Sequence, residues 1–254
     1  MQEFIEPSLG LSHFAFDTIG STNDEAFRLA KTRNESQFFV TAKRQTDGRG
    51  RRGRTWVSQA GNLYTSLYIK SPAEAERCAE LSFVAAVALF ETIQDCAGDI
   101  EGVCTFKWPN DILWNGAKIA GLLLEANEKS GEIDIVIGMG VNCTHHPENT
   151  PYPATDFKSE GLDIPSEKLF EALMPRLMKT IQLWNRGQGF SAVRAMWLKH
   201  ASGIGQTITV RLESEEISGV FREINERGQL VLDMSDKSER IITAGDVFFP
   251  TNTG

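Results

Sequence analysis

Between Lys43 and Trp56 the chain reads KRQTDGRGRRGRTW. Lys43, Arg44, Arg49, Arg51, Arg52 and Arg54 set six cations against one acid, Asp47, with glycines at Gly48, Gly50 and Gly53. Glycine lets a backbone come close to a ligand, and arginine offers a planar, permanently charged fork for carboxylate or phosphate. The pattern describes a loop that closes over something small and anionic. Two lysines further along carry the same implication. Lys107 opens KWPND (107–111), and Lys118 opens KIAGLLLE (118–125), three residues before the mid-strand Gly121. A glycine inside a strand marks a place where a ligand or another backbone approaches closely. Taken alone, each lysine is equally an exposed edge residue, and GRGRRGR alone is equally an RNA-binding tract.

Other chemistries are less well served. No G-x(4)-G-K-[ST] loop occurs, and the glycine-rich tract lacks the strand–loop–helix setting of a dinucleotide site. His145 and His146 are adjacent but lack the spacing of a zinc site, so they read as part of a solvated loop and no residue is assigned to a metal.

The elements that must position these residues alternate between strand and helix signals. Residues 11–19 and 37–42 read as strands, the second leading into the basic loop. Between them Gly20-Ser21-Thr22-Asn23-Asp24-Glu25 reads as a helix start, with Ser21 or Thr22 as N-cap and Asp24 or Glu25 closing a capping box. The same exposed N-terminus and its hydroxyls equally suit a polar ligand group. Residues 62–70 alternate with period two, and 74–96 reads as one long helix stopped by Gly98. Strands follow at 103–107, 111–114, 118–125 and 133–141, with Asn115-Gly116 as a two-residue hairpin turn. Residues 143–165 read as an irregular surface loop, followed by helices over 166–185 and 191–200, with Trp184 and Trp197 in the core. From Gly203 the texture changes to short strands at 207–212, 216–225, 229–233, 240–243 and 246–249, which suits a small β-barrel.

Composition sets outer bounds. The chain has 254 residues, 41% hydrophobic and 24% charged, and a net charge of −8. That is ordinary globular composition, and the acidic balance argues against a general nucleic-acid binder. The start, MQEFIEPSLG, has no signal-peptide pattern. Cys78, Cys96, Cys104 and Cys143 lack CxxC spacing and read as the reduced thiols of a cytoplasmic protein.

Taken in order, Ser21-Thr22-Asn23, Gln45, GRGRRGR (48–54) with Trp56, KWPND, KIAGLLLE and GMGVN (138–142) resemble the biotin protein ligases, within the wider biotin/lipoate ligase fold. The resemblance runs from Ser21 to the C-terminus. It implies an α/β (α+β) mixed-sheet catalytic domain over 1–203 and an SH3-like C-terminal domain over 204–254. About 20 residues precede Ser21, too few for the winged helix-turn-helix of some bacterial relatives. The expectation is a monofunctional ligase that binds neither DNA nor membrane.

The implied enzyme is a biotin–[biotin carboxyl-carrier protein] ligase. It forms biotinyl-5′-AMP from biotin and ATP, with Mg2+ on the ATP phosphates, and passes biotin to one lysine of a carrier domain of acetyl-CoA carboxylase or a related carboxylase. A homodimer is left open. The nearest alternative is a lipoate or octanoate ligase; GRGRRGR together with KWPND favours biotin. The resemblance assigns Ser21, Thr22, Asn23 and Gln45 to biotin's ureido ring and its neighbours. Arg49, Gly50 and Arg51 lie over biotin, and Gly121 lines its slot. Arg51 meets the carboxylate and the adjoining phosphate, and Lys118 bridges carboxylate and α-phosphate. Arg54 and Lys107 contact phosphate, Trp56 covers adenine, Asn142 bonds nearby, and Asp111 orients Lys118 or the incoming lysine.

Overall fold

The computed structural model describes residues 1–249 except 7, 8, 101, 130, 149 and 151. The first part of the chain forms β1 (Gln2–Glu6), β2 (Leu11–Ile19), α1 (Thr22–Ala30), β3 (Gln37–Gln45) and β4 (Leu63–Ile69). There follow α2 (Ala75–Cys78), α3 (Leu81–Ala97), β5 (Cys104–Lys107), β6 (Asp111–Trp114), β7 (Ala117–Lys129) and β8 (Glu132–Val141). The chain ends with α4 (Ser166–Trp184), α5 (Phe190–Lys199), β9 (Thr207–Arg211), β10 (Glu216–Ile224), β11 (Leu230–Asp233), β12 (Glu239–Ile242) and β13 (Asp246–Phe248).

The strands make two sheets. One is mixed, in the order β1-β2-β3-β4-β8-β7-β6-β5; the other has the order β12-β11-β10-β9-β13. In the first, β2 and β3 run parallel through α1 and the remaining neighbours are antiparallel. The second is antiparallel throughout. The expected α/β (α+β) mixed sheet is therefore present, followed by a small antiparallel sheet.

Burial explains the layering. Leu81, Val84, Ala85, Ala88 and Leu89 of α3 are inaccessible and pack with Leu169, Leu173 and Leu177 of α4 in one core. Trp184 and Trp197 belong to that core. On the opposite side α1 buries Ala26 and Leu29 against Phe14, Phe38 and Val40. The turn between β6 and β7 has positive φ at Asn115 (48°) and Gly116 (80°), the left-handed pair that an Asn-Gly hairpin supplies.

Two expectations change and one strand is added. The helix expected over 74–96 is two: α2 and α3 meet at Glu80, whose buried carboxylate accepts from the Trp184 indole at 2.6 Å and pairs with Arg77 at 3.0 Å. Tertiary demand on Glu80 sits at the junction. The start of the chain is a strand, β1, paired antiparallel with β2 at the sheet edge. Its side chains are mostly exposed, so no alternation marked it. The capping box is absent: Ser21 makes no side-chain cap bond, and the Thr22 N–H is satisfied by Gln45 Oε1 at 2.8 Å. The end of β3 does the capping that the sequence assigned to neighbours.

His13 on β2 lies against the Phe170 ring, with centroids 4.6 Å apart, and bonds Thr41 Oγ1 at 2.8 Å. Burial pushes its imidazole down from 6.5 to about 4. Between those values the unfolded chain binds the proton and the folded chain does not, so stability falls as pH falls through that window. Urea midpoints should drop from pH 7 to pH 4.5, and His13→Gln should flatten part of that slope. An unchanged slope in the variant would exclude His13 as the source.

Candidate active site

The basic loop folds as a narrow hairpin. Arg49 bridges Thr55, Gly50 N donates to Arg54 O at 2.7 Å, and Trp56 N donates to Gly48 O at 2.8 Å. Its tip is a 3-10 turn at Arg51–Gly53, with Arg52 and Gly53 at positive φ. A Cβ on Gly48 would lie 2.5 Å from Ser58 Oγ and 2.6 Å from Trp56 O, so the neck of the hairpin closes only on glycine.

This hairpin lies over a cleft whose floor is the middle of the large sheet. Gly121 on β7 pairs with Gly140 on β8, and Asp111 on β6 pairs with Gly121. The Trp56 ring rests on this bare stretch: a Cβ on Gly140 would meet it at 2.6 Å, and one on Gly121 at 3.0 Å. Its Nε1–H is buried without a hydrogen-bond partner among the described residues. Such a donor costs about 1–3 kcal/mol. Gly138, two residues from Gly140 and on the same face, leaves room for Asn23, whose Oδ1 a Cβ would overlap.

Lys118 reaches the same face through an irregularity. Leu113 pairs with Lys118 and Ile112 with Ala120, so Ile119 is an extra residue on β7. In a regular strand Lys118 and Gly121, three apart, point to opposite faces. The bulge reverses that parity. Lys118 Nζ would lie 3.1 Å from a Cβ on Gly121, 2.7 Å from Asp111 Oδ1 and 5.2 Å from the Trp56 ring centroid. Residues 152–155 lie alongside, with Lys118 N donating to Pro153 O at 2.8 Å and Thr155 N donating to Lys118 O at 3.0 Å. That strap puts the Tyr152 ring 5.4 Å from Lys107 Nζ and 5.5 Å from Lys118 Nζ.

The cations of the cleft divide into two sets. Arg49 forks onto Asp24 (2.6 Å to both oxygens) and reaches Glu125; Arg54 pairs with Asp246 at 2.8 Å; Lys118 pairs with Asp111. Arg51 and Lys107 have no carboxylate partner within salt-bridge distance among the described residues. Arg51 Nη1 meets only neutral oxygens, Asn110 Oδ1 at 3.4 Å and Gly245 O at 3.3 Å. Lys107 sits among the Tyr152, Phe248 and Phe249 rings. Burial pushes both below their ordinary values. Two partly desolvated charges lining one cleft suit a polyanion.

Ser21, Thr22, Asn23 and Gln45 line one end of the cleft, and Arg49, Gly50, Arg51, Arg54 and Trp56 its lid. Lys107, Asp111, Lys118 and Gly121 line the floor and the far wall. Asn142 is not among the lining residues. It is buried just past the end of β8 and donates to Thr155 O at 2.9 Å, which holds the strap to the sheet. Asn23 lines the cleft with its polar atoms turned onto protein partners, Glu125 and Ser66.

Several contributors escaped the sequence reading. Asn110 was visible within KWPND, but Tyr152 lay in a stretch taken for surface loop. Asp246 and Phe248, at the start and end of β13, reach the cleft from the other sheet. His146 pairs with buried Asp156 at 2.5 Å, so that loop is pinned rather than free.

Residues 15–142 match the profile of the biotin/lipoate A/B protein ligase family, and 203–249 match the biotin protein ligase C terminal domain. The biotin–[acetyl-CoA-carboxylase] ligase of Paracoccus denitrificans is 36% identical over 236 residues, covering 90% of this chain and 97% of that protein. The chain belongs to the biotin/lipoate A/B protein ligase family. The bifunctional ligase/repressor BirA of Bacillus subtilis is 30% identical over 90% of this chain and 71% of its own length. The biotin protein ligase of Aquifex aeolicus, solved in complex with biotin and ATP, shares the fold at a TM-score of 0.78 and 23% identity, covering 93% of this chain and 97% of that one.

The glycine-bared floor of this family member is testable without ligand. Gly140→Ala should lose about 1–3 kcal/mol in urea unfolding through overpacking against Trp56. In a Trp56→Ala background the same substitution should cost much less. Equal costs in both backgrounds would mean that the ring is not what the glycine accommodates.

Proposed function

We propose that this chain is an ATP-dependent biotin protein ligase. It activates biotin as biotinyl-5′-AMP and transfers the biotinyl group to one lysine of a biotin carboxyl carrier domain. The observation that carries this reading is the pair Arg51 and Lys107, cations without carboxylate partners among the described residues, in one cleft with Lys118, whose other end is neutral and hydrogen-bonding. The substrate this fits is neutral at one end and anionic at the other, set against a polyphosphate. The 36% identical relative and the second matched profile, the biotin protein ligase C terminal domain, are both named for biotin, which supports biotin over lipoate.

The chemistry follows from these positions. In the first step a carboxylate oxygen attacks the α-phosphorus of ATP; the bond to the bridging oxygen breaks, and pyrophosphate leaves with the electron pair. Like charges must be brought together, and Arg51 with Lys118 neutralises them. Asp111, 2.7 Å from Lys118, holds that ammonium over Gly121. Lys107 and Arg54 receive the phosphates, and the Trp56 ring supplies a flat apolar wall for the base. Ser21, Thr22 and Gln45 offer hydroxyl and amide groups to the ureido ring under the Arg49–Gly50 backbone. In the second step the neutral amine of the carrier lysine attacks the acyl carbon, Lys118 steadies the oxyanion, the bond to phosphate breaks, AMP leaves, and the amine sheds a proton.

Mg2+ would accompany ATP and would supply neutralisation of phosphate charge. Asp111 and Asp246 are carboxylates of the cleft, and no cluster of three or more His, Cys, Asp or Glu ligands occurs among the described residues. That donor set fits an ion held mainly by phosphate and water. We divide the chain into a ligase part, 1–203, and a C-terminal part from 204, of which residues 250–254 lie outside the described structure; both parts contribute to the cleft. Four free cysteines support a reducing, cytoplasmic setting. No helix among the described residues is long and apolar enough to cross a membrane.

Mass spectrometry decides the reading. A carrier domain incubated with the chain, biotin and MgATP should gain one biotinyl group on one lysine, and none with lipoate in place of biotin. A carrier that a known ligase modifies, left unmodified by this chain, would sink it. Lys118→Ala should bind biotin within about tenfold of the parent yet release pyrophosphate roughly 100- to 1,000-fold more slowly. Pyrophosphate release near the parent rate would remove Lys118 from the chemical step.

A further inference from the structure

Glu125 closes the KIAGLLLE motif and does not line the cleft, yet two parts of the site meet on it. Its Oε2 accepts from Asn23 Nδ2 at 2.6 Å, and its oxygens lie 3.3 and 3.4 Å from Arg49 Nη2. Behind Asn23, Ser66 on β4 is fully buried; its Oγ lies 2.6 Å from Asn23 Oδ1 and 2.8 Å from Thr22 Oγ1. Thr22 Oγ1 in turn lies 3.1 Å from Gln45 Oε1.

Hydrogen counting gives this chain a direction. A carboxylate only accepts, so it takes the amide NH2 of Asn23 and turns Oδ1 toward Ser66. The second Asn23 N–H faces Leu123 O at 3.4 Å. Ser66 has one hydroxyl hydrogen, and Asn23 Oδ1 at 2.6 Å takes it. Thr22 then receives nothing from Ser66 and sends its own hydrogen toward Gln45 or Ser66. Gln45 Oε1 is held as an acceptor by the Thr22 N–H at 2.8 Å, while Gln45 Nε2 donates to Ser58. What Thr22 presents to the cleft is therefore a lone pair, ready for an N–H donor. If Asn23 were flipped, its NH2 would face Ser66, Ser66 would donate to Thr22, and one of the two Thr22 lone pairs would be taken up inside the protein, weakening what Thr22 offers an N–H donor.

We propose that Glu125 is a positioning residue for ligand recognition: one carboxylate sets the hydrogen-bond polarity of Asn23, Ser66 and Thr22 and docks the Arg49 arm of the lid. The proposal rests on the function above, since it takes the ligand group at Thr22 to be a ureido N–H. It places lid closure and the choice of an N–H-bearing ring under a single side chain outside the cleft.

The test uses the full chain and Glu125→Gln, a change of similar shape at a half-buried position. Biotin binding is compared with binding of a cyclic carbamate analogue in which one ureido N–H is replaced by oxygen. The parent should prefer biotin, and the variant's preference should shrink roughly fivefold or more, because a glutamine accepts or donates and no longer fixes Asn23. Biotin should dissociate from the variant roughly tenfold faster, while KM for MgATP and the thermal midpoint stay near the parent's. A merely structural role would lower the midpoint and leave the preference alone. An unchanged preference for biotin over the carbamate overturns the inference. A parent chain that binds no biotin overturns the proposed function instead.

Discussion

A guanidinium taken partly out of water without a carboxylate beside it is costly, and the cleft is arranged around accepting that cost at Arg51. Two neutral oxygens, Asn110 Oδ1 and Gly245 O, are the protein's only offers to its Nη1 among the described contacts. Lys107 is treated alike, with three aromatic rings near its ammonium and no ion pair among the described residues. Ring faces attract a cation without neutralising it. The remaining cations of the cleft are paired, so the unpaired charge is concentrated where the lid, the floor and the second sheet meet. A chain of net charge −8 repels anions at long range; this local excess supplies the attraction at short range.

Bringing those charges together demands a bare floor. A side chain at Gly121 or Gly140 would occupy the space in which Trp56 and the Lys118 stem now lie. Gly121 was legible: its place within a strand-like segment pointed to close approach, and the structure sets it opposite Gly140 across β7 and β8. The route by which Lys118 joins them was not. Spacing of three on a strand predicts opposite faces, and only the extra residue Ile119 aligns the two. A bulge is a property of pairing between strands, set here by the fit of β7 to β6, and single-sequence periodicity carries no trace of it.

The same distinction separates what was readable elsewhere. Helix stripes, the Asn-Gly turn, the core tryptophans and the change of texture near Gly203 are local patterns, and each has its counterpart in the fold. The capping of α1 looked local and is not: Gln45, 23 residues beyond Thr22, provides the acceptor. Asn142 sat in a motif with glycines that reach the cleft, but its strand ends there, and its amide bonds the strap instead. Asp246 had no visible link to the arginine tract, since its contacts with Arg52 and Arg54 span 194 and 192 residues. Tyr152 was hidden because its segment runs beside β7 through backbone bonds that any sequence can make.

The second sheet is consequently part of the cleft rather than an appendage to it. Trp108, adjoining Lys107, donates its buried indole N–H to Gly228 O at 3.0 Å, which fixes one side of the joint. On the other side the lid tip rests on Gly245 and Asp246. The lid arm at Arg49 is held by Asp24 and Glu125, which belong to the large sheet and its helix. One hairpin thus has its base tied to the hydrogen-bonding end of the cleft and its tip tied to the cationic end. A single rigid strand could not serve both, because the two anchors lie on different sheets; a hairpin turning through Arg52 and Gly53 at positive φ reaches across the gap between them. The arginines of the hairpin are then distributed by geometry, Arg49 to the hydrogen-bonding end and Arg51, Arg52 and Arg54 to the charged end, and that distribution turns a run of like charge into two different binding environments.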